Sequence, residues 1–302
     1  NQTAVMEFIL LGFPGSPYLQ IFLFVLFLLM YTLTVLGNMA IILLVVTHRH
    51  LHTPMYFFLC NLSFLEIWYT TSSVPKALAV FLGKNKTISF TGCLLQMYFV
   101  FSFGCTEYFL LSVMAYDRYL AICYPLHYST IMNSSLSAQL ALGSWVFGFL
   151  AMSPLACLTS QLSFCGSAIN HFYCEIESWI VIACTDISTI ELLGLTTSII
   201  VILGSCVITL LSYIYIISTI LKIPSAQGRQ KAFSTCSSHL AVVLIWYGST
   251  IFLFVKPERN FLLELTKTVN IINTIVTPLL NPFIYALRNK EMKEAMQNIL
   301  RG

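Results

Sequence analysis

Hydrophobic and polar positions along this chain separate into long apolar runs divided by short polar connections. Seven runs meet the roughly 20-residue requirement of a membrane-crossing helix: 20–47, 55–82, 91–123, 138–157, 191–222, 229–255 and 264–287. The last is the least apolar, because Asn270, Asn273, Thr274, Thr277 and Asn281 interrupt it. The first begins too late, and lacks the basic start and cleavage site, for a removable signal peptide, so it reads as a signal anchor. Connections are short except for 158–190, which carries three cysteines and is expected to be a folded lid. After the seventh run, "NKEMKEAMQNIL" gathers Met292, Ala295, Met296, Ile299 and Leu300 on one helical face. That pattern predicts a short amphipathic helix over 288–302 on the inner membrane surface; docking of the same face on a partner is the alternative. No second domain, low-complexity tract or inverted repeat interrupts the series. The expectation is an all-α membrane protein: one domain, 1–302, with a seven-transmembrane-helix bundle behind an extracellular segment, 1–19.

Composition changes the picture of the solvent. Of 302 residues, 58% are hydrophobic and 9% charged, against roughly 25% charged in a soluble domain. Too few charges remain to cover a water-facing surface, so lipid must surround most of it. Charge then orients the bundle. With the N-terminus outside, Arg49, Arg118, Lys222, Arg229, Lys231, Arg288, Lys290, Lys293 and Arg301 face the cytoplasm. The outer cations Lys84, Lys86, Lys256, Arg259 and Lys267 are offset by Glu7, Glu175, Glu177, Asp186, Glu191, Glu258 and Glu264. The basic excess is inside, as the positive-inside rule requires. Asn1-Gln2-Thr3 is then a glycosylation acceptor on the outer side, with Asn85-Lys86-Thr87 a second candidate. Asn133-Ser134-Ser135 has the same form on the cytoplasmic side.

Cys93, Cys165, Cys174 and Cys184 all fall outside, where disulfides persist, and four cysteines allow three connectivities. Cys60, Cys105, Cys123, Cys157, Cys206 and Cys236 lie in or near apolar runs and read as small buried hydrophobes. Two acids, Glu66 and Glu107, sit inside runs, where an ionisable group is a functional candidate by default. Asp117 and Arg118 close the third run. Adjacent helical residues do not share a face, and an arginine at a helix end can snorkel or swing.

Five segments point to one family. "GNMAIIL", "LHTPMYFFLCNLSFLE", "MAYDRYLAICYPLHY", "KAFSTCSSHL" and "PLLNPFIYALRN" occur in order across the chain. Together they resemble the rhodopsin-like (class A) G-protein-coupled receptors, and within them the olfactory receptors of the tetrapod-type class II branch. The resemblance implies a plasma-membrane, multi-pass receptor for small, mostly volatile molecules. It would act by nucleotide exchange on a stimulatory, olfactory-type heterotrimeric G protein, raising cyclic AMP, with no covalent chemistry of its own. Membrane lipid and the odorant are the other partners; no nucleic acid is expected.

The same resemblance assigns residues. Asp117 would restrain Arg118 at rest, and Arg118 and Tyr119 would meet the G protein on activation. Tyr213, His239, Asn281, Pro282 and Tyr285 would rearrange around them. Pro282 removes a backbone donor and can kink the seventh run. Disulfides Cys93–Cys174 and Cys165–Cys184 are implied. Glu66 and Glu107 would face each other in mid-bundle, sharing a proton or holding a cation; sodium is the implied ion, and oxygen ligands suit it. No other cofactor is expected. "HFYCE" and "HRHLH" superficially suggest metal sites, but oxidation of Cys174 would leave the first without its thiolate, and the second reads as a polar turn. The implied pocket comprises Met97, Val100, Phe101, Gly104, Cys105, Thr197, Ser198, Val201, Tyr247, Ile251, Phe254, Asn270 and Thr274. Tyr247 is preferred to its neighbour Trp246 because "YGS" follows. With no charge among them, these residues suit a neutral, moderately hydrophobic ligand bearing one hydrogen-bonding group.

Two other functions compete. A transporter would show repeats and paired broken helices. An intramembrane enzyme would need a nucleophile and base, or a metal cluster, at depth. The sequence displays neither set.

Overall fold

The computed structural model describes residues 6–83, 86–254, 267–288 and 292–294, and the backbone alone at 252–254 and 286–288. Asn1, Asn85, the side chain of Phe254 and most of the 288–302 tail segment lie outside the described residues.

Long helices dominate: α1 Pro17–Thr47, α2 Pro54–Phe81, α3 Phe90–Cys123, α4 Ser134–Thr159, α5 Ser188–Lys222, α6 Ala226–Phe254 and α7 over 267–288. Local chemistry sets their starts. Ser16 accepts from the Leu19 amide, and Pro17 occupies the first turn of α1. Ser89 caps α3 through the Gly92 amide at 3.1 Å, and Asn133 caps α4 through Leu136 at 2.9 Å. Each side-chain oxygen satisfies an amide that the helix itself leaves open. Among the described residues, four helices, α1, α3, α4 and α5, are long and apolar enough to cross a membrane.

Burial runs opposite to that of a water-soluble protein. Leu36, Val46, Leu142, Leu150 and Leu203 are exposed, while Asn38, Glu66, Glu107 and Asn281 are buried. Such a surface is stable only against hydrocarbon. At the centre, α3 packs on α2, α4, α5 and α6. Its approach to α4 is close at Gly148, where an added Cβ would lie 2.8 Å from the Thr106 backbone nitrogen.

Three features depart from a simple helix reading. Residues 7–10, expected to be part of an outer tail, form strand β1 (Glu7–Leu10). It pairs antiparallel with β2 (Thr87–Ser89) and parallel with β3 (Ala168–Ile169). Phe8 of β1 is fully buried in a satellite core with Trp179, Met97 and Ile169. Finally, π-turns break α5 at Ile199–Leu203 and α7 at Ile272–Val276, and such turns recur at functional sites.

Candidate functional site: a roofed cavity above a buried polar axis

A cavity of about 800 Å³ opens among the ends of α3–α7 nearest the 158–190 loop, within the range of small-molecule sites. Val100, Phe101, Gly104 and Cys105 line it from α3; Thr197, Ser198 and Val201 from α5; and Asn270 from α7. These eight are pocket positions expected from the sequence. The structure adds Tyr69, Tyr108, Met152, Leu155, Trp246, Thr250 and Asn273. Tyr108 reaches across the bundle to Thr250, hydroxyl to hydroxyl, at 2.5 Å, and its ring lies 5.5 Å from that of Trp246.

Four expected positions are placed elsewhere. Trp246 takes the lining position assigned to Tyr247, because adjacent helix residues point about 100° apart at 3.6 residues per turn. Tyr247 turns toward α5 and donates to Ser205 at 2.8 Å. Met97 belongs to the satellite core. Ile251 faces outward. Thr274 is buried and donates its hydroxyl back to the Asn270 carbonyl.

The roof is the 158–190 loop. Disulfides Cys93–Cys174 and Cys165–Cys184, with Cα atoms 5.5 and 5.4 Å apart, hold it. Gln96 of α3 ties it further, accepting from the Cys174 amide at 3.0 Å and donating to Ser72 at 2.9 Å. The loop's helix Ile176–Ile182 contributes Ile176, Glu177, Ile180 and Val181 to the lining, and Glu175 immediately precedes it. Asn270 of α7 donates to Glu175 at 2.9 Å and sits 3.3 Å from His171 Nε2. Burial and the nearby Lys267 ammonium push the His171 imidazole down to about 3, so it is neutral. Lys267, itself buried, donates to Asn170 at 3.0 Å. "HFYCE" therefore forms a hydrogen-bonded clasp between loop and α7, and its cysteine is consumed by the disulfide.

Below the cavity runs a chain of buried polar atoms. Asn281 donates to one oxygen of Glu66, and the Glu107 carboxyl is buried close to that of Glu66. Asn38 donates to the carbonyls of Thr34 and Pro278 at 3.0 and 3.3 Å. Glu66 Oε2, both Glu107 oxygens, Asn281 Oδ1 and Ser102 Oγ are buried without a protein partner. Buried polar atoms are seldom left unpaired. Two adjacent carboxylates repel unless a proton or cation lies between them, and this all-oxygen set fits a hard cation.

At the opposite end, Arg118 donates through two nitrogens to Asp117. Tyr128, in the short helix Tyr128–Ile131, donates to the other Asp117 oxygen at 2.7 Å. The two adjacent residues therefore do pair, by folding the guanidinium back. His239 bridges α5 and α3, with Nδ1 2.7 Å from the Tyr213 hydroxyl and Nε2 3.0 Å from the Leu111 carbonyl. The Tyr285 hydroxyl is buried without a partner. Tyr119 packs its ring against Tyr116, Tyr124 and Tyr215.

A multi-helix membrane protein with a cavity at one end of the bundle and a closed ion pair at the other is a receptor-like arrangement, and the comparisons with known proteins agree. A family model described as "Olfactory receptor" matches residues 27–302. Olfactory receptor 6F1 of Homo sapiens is 65% identical, covering 100% of this chain and 98% of its own. Olfactory receptor 287 of Rattus norvegicus is 64% identical over 100% and 97%. Olfactory receptor 6X1 of Homo sapiens is 51% identical over 99% and 96%. The chain belongs to the olfactory receptor family, whose members are receptors and not enzymes.

Proposed function

We propose that this chain is a plasma-membrane odorant receptor. It folds as one seven-span domain with the N-terminus outside and glycosylated at Asn1, and with the C-terminus and an amphipathic tail helix inside. The observation that carries the reading is the roofed cavity of about 800 Å³, stacked over a buried polar axis that ends at the Asp117–Arg118 pair. Its mostly apolar and aromatic lining suits a small hydrophobic volatile molecule with a single polar group.

The output is nucleotide exchange on a stimulatory, olfactory-type G protein and a rise in cyclic AMP. At rest, Asp117 and Tyr128 hold Arg118 inward, while His239 holds α6 to α5 and α3. A ligand touching Trp246 and Thr250 bears directly on α6. A ligand that binds the open bundle more tightly than the closed one shifts the population toward it. In the open state His239 leaves Tyr213, Pro282 and Asn281 let α7 pivot, and Tyr285 and Tyr213 turn toward the released Arg118. Arg118 and Tyr119 then form part of the G-protein surface.

Glu66, Glu107 and Asn281 would hold a sodium ion in the closed state, supplying charge balance and no chemistry. The unpaired oxygens around them support this reading. Sodium titration of the purified, ligand-free receptor should raise its unfolding temperature; no rise would assign the site to a shared proton. The function itself is tested by a cyclic AMP assay with a panel of small hydrophobic odorants. Silence to every compound at normal surface expression would remove the odorant reading.

A further inference from the structure

The strand that precedes the first helix is built into the roof of the cavity. Residues 6–12 run beside the 158–190 loop, where the amides of Ile9, Leu11 and Gly12 donate to the carbonyls of Ser167, Ile169 and His171 at 2.7, 2.9 and 3.1 Å. On the other edge the Leu10 amide donates to the Lys86 carbonyl at 2.8 Å, and the Met6 carbonyl accepts from the Phe90 amide at 2.9 Å. These bonds fix the register, and the two-residue alternation of a strand turns Phe8 and Leu10 inward, both fully buried. Phe8 meets the loop's helix Ile176–Ile182 at Trp179, with ring centroids 5.1 Å apart, and Phe164 stands edge-on to both rings at 5.1 Å. Phe90 stacks on Trp179 at 5.5 Å. The Trp179 indole N–H donates to Cys93 Sγ at 3.2 Å, on the disulfide that anchors the loop. The loop's helix therefore has two unlike faces. Ile180 and Val181 line the cavity, whereas Trp179 sits in the satellite core with Phe8.

We propose that Phe8 is a positioning residue of the ligand site: by wedging Trp179 it fixes how closely the roof helix approaches the bundle, and so the length of ligand the cavity accepts. The inference rests on the cavity being the ligand site and adds a determinant of specificity from a strand outside its lining. A helix of seven residues is too short to hold itself, so its placement comes from these contacts. Interiors are close-packed, and a wedge removed from one face of the helix is felt on the other. Shortening Phe8 leaves a void that its neighbours fill in part. Trp179 then moves toward β1 and away from the cavity, and Ile180 and Val181 move with it. The site lengthens, and each further methylene that it buries gains about fourfold in affinity.

The test titrates the straight-chain primary alcohols from 1-butanol to 1-decanol on the purified full-length receptor, reading ligand-induced shifts in thermal unfolding. The unmodified receptor should show a length optimum. In Phe8→Ala that optimum should move to chains longer by about one or two carbons, with about a fourfold gain for each methylene newly accommodated. Phe8→Leu keeps an apolar wedge and should keep the original optimum. Trp179→Phe thins the same contact from the roof side and should move the optimum in the same direction as Phe8→Ala. Leu44→Ala alters a buried α1 residue outside the cavity lining; it should lower the unfolding temperature and leave the optimum in place, which separates positioning from loss of stability. Amide hydrogen exchange on the unmodified receptor covers the case in which the variants fail to fold. Saturation with the best alcohol should slow exchange at Ile9 and Leu10 together with residues 176–182. An optimum unmoved in folded Phe8→Ala, or protection confined to the loop's helix, overturns the proposal and leaves the cavity standing as the ligand site. The absence of a saturable shift with every alcohol removes the ligand-site reading and the proposal with it.

Discussion

At the scale of single residues, the sequence exposed costs better than partners. Glu66, Glu107, Asp117 and Arg118 stood out because charge in an apolar run is expensive. Tyr128, three residues beyond "ICYP", did not, yet it holds Asp117 from a separate short helix. Tyr128→Phe deletes that bond, worth about 0.5–1.5 kcal/mol. It should raise ligand-independent cyclic AMP about two- to tenfold, since about 1.4 kcal/mol is tenfold; an unchanged basal level in surface-expressed protein would contradict the restraint. The loop clasp makes a pH prediction. His171 is held neutral in the fold and pushed down to about 3, against about 6.5 in an unfolded chain. Between those values the unfolded state binds more protons, so stability falls as pH falls below about 6.5, by about 1.4 kcal/mol per unit. Thermal unfolding at pH 5 should therefore show a loss of about 2 kcal/mol relative to pH 7, and His171→Gln should flatten that dependence.

At the scale of elements, periodicity and length located the long helices to within a few residues. The run at 138–157 became Ser134–Thr159, and that at 191–222 became Ser188–Lys222. What hydropathy did not display are the features made by contact. Strand β1 exists because β2 and β3 supply its hydrogen bonds. The choice of Trp246 over Tyr247 depends on helix rotation, which a one-residue ambiguity reverses. Close packing offers a sharp check. A Cβ on Gly148 would sit 2.9 Å from the Thr106 Cα, whereas one on Gly143 meets nothing nearer than Phe147 at 4.0 Å. Gly148→Ala should cost about 1–3 kcal/mol by forcing α3 and α4 apart. Gly143→Ala should be neutral or stabilising by up to about 1 kcal/mol through helix propensity. Equal unfolding temperatures for the two variants would refute the close approach. The Cys93–Cys174 bond anchors the roof; replacing both cysteines with Ser should cost about 2–5 kcal/mol and sharply reduce surface expression.

At the scale of the whole molecule, apolar side chains face outward and the carboxylates, amides and hydroxyls converge inward. That inversion was legible from composition alone, because 9% charge cannot cover a soluble surface. The cavity was half legible: the positions on α3 and α5 were foreseen, while the loop's Glu175 and the α4 residues Met152 and Leu155 were not. Loop residues carry no periodicity, so only the fold brings Glu175 over the helices. Helix α6 runs between the two ends. Trp246 and Thr250, which line the cavity, sit on the helix that also carries His239, whose ring meets α3 and α5. If the ends are coupled, removing the inner contact should spare the outer one. The direct measurement is Arg118→Ala, followed by ligand-induced thermal stabilisation and cyclic AMP on the same protein. The account requires ligand stabilisation to persist while the cyclic AMP response disappears. A variant that still raises cyclic AMP on odorant addition would contradict it.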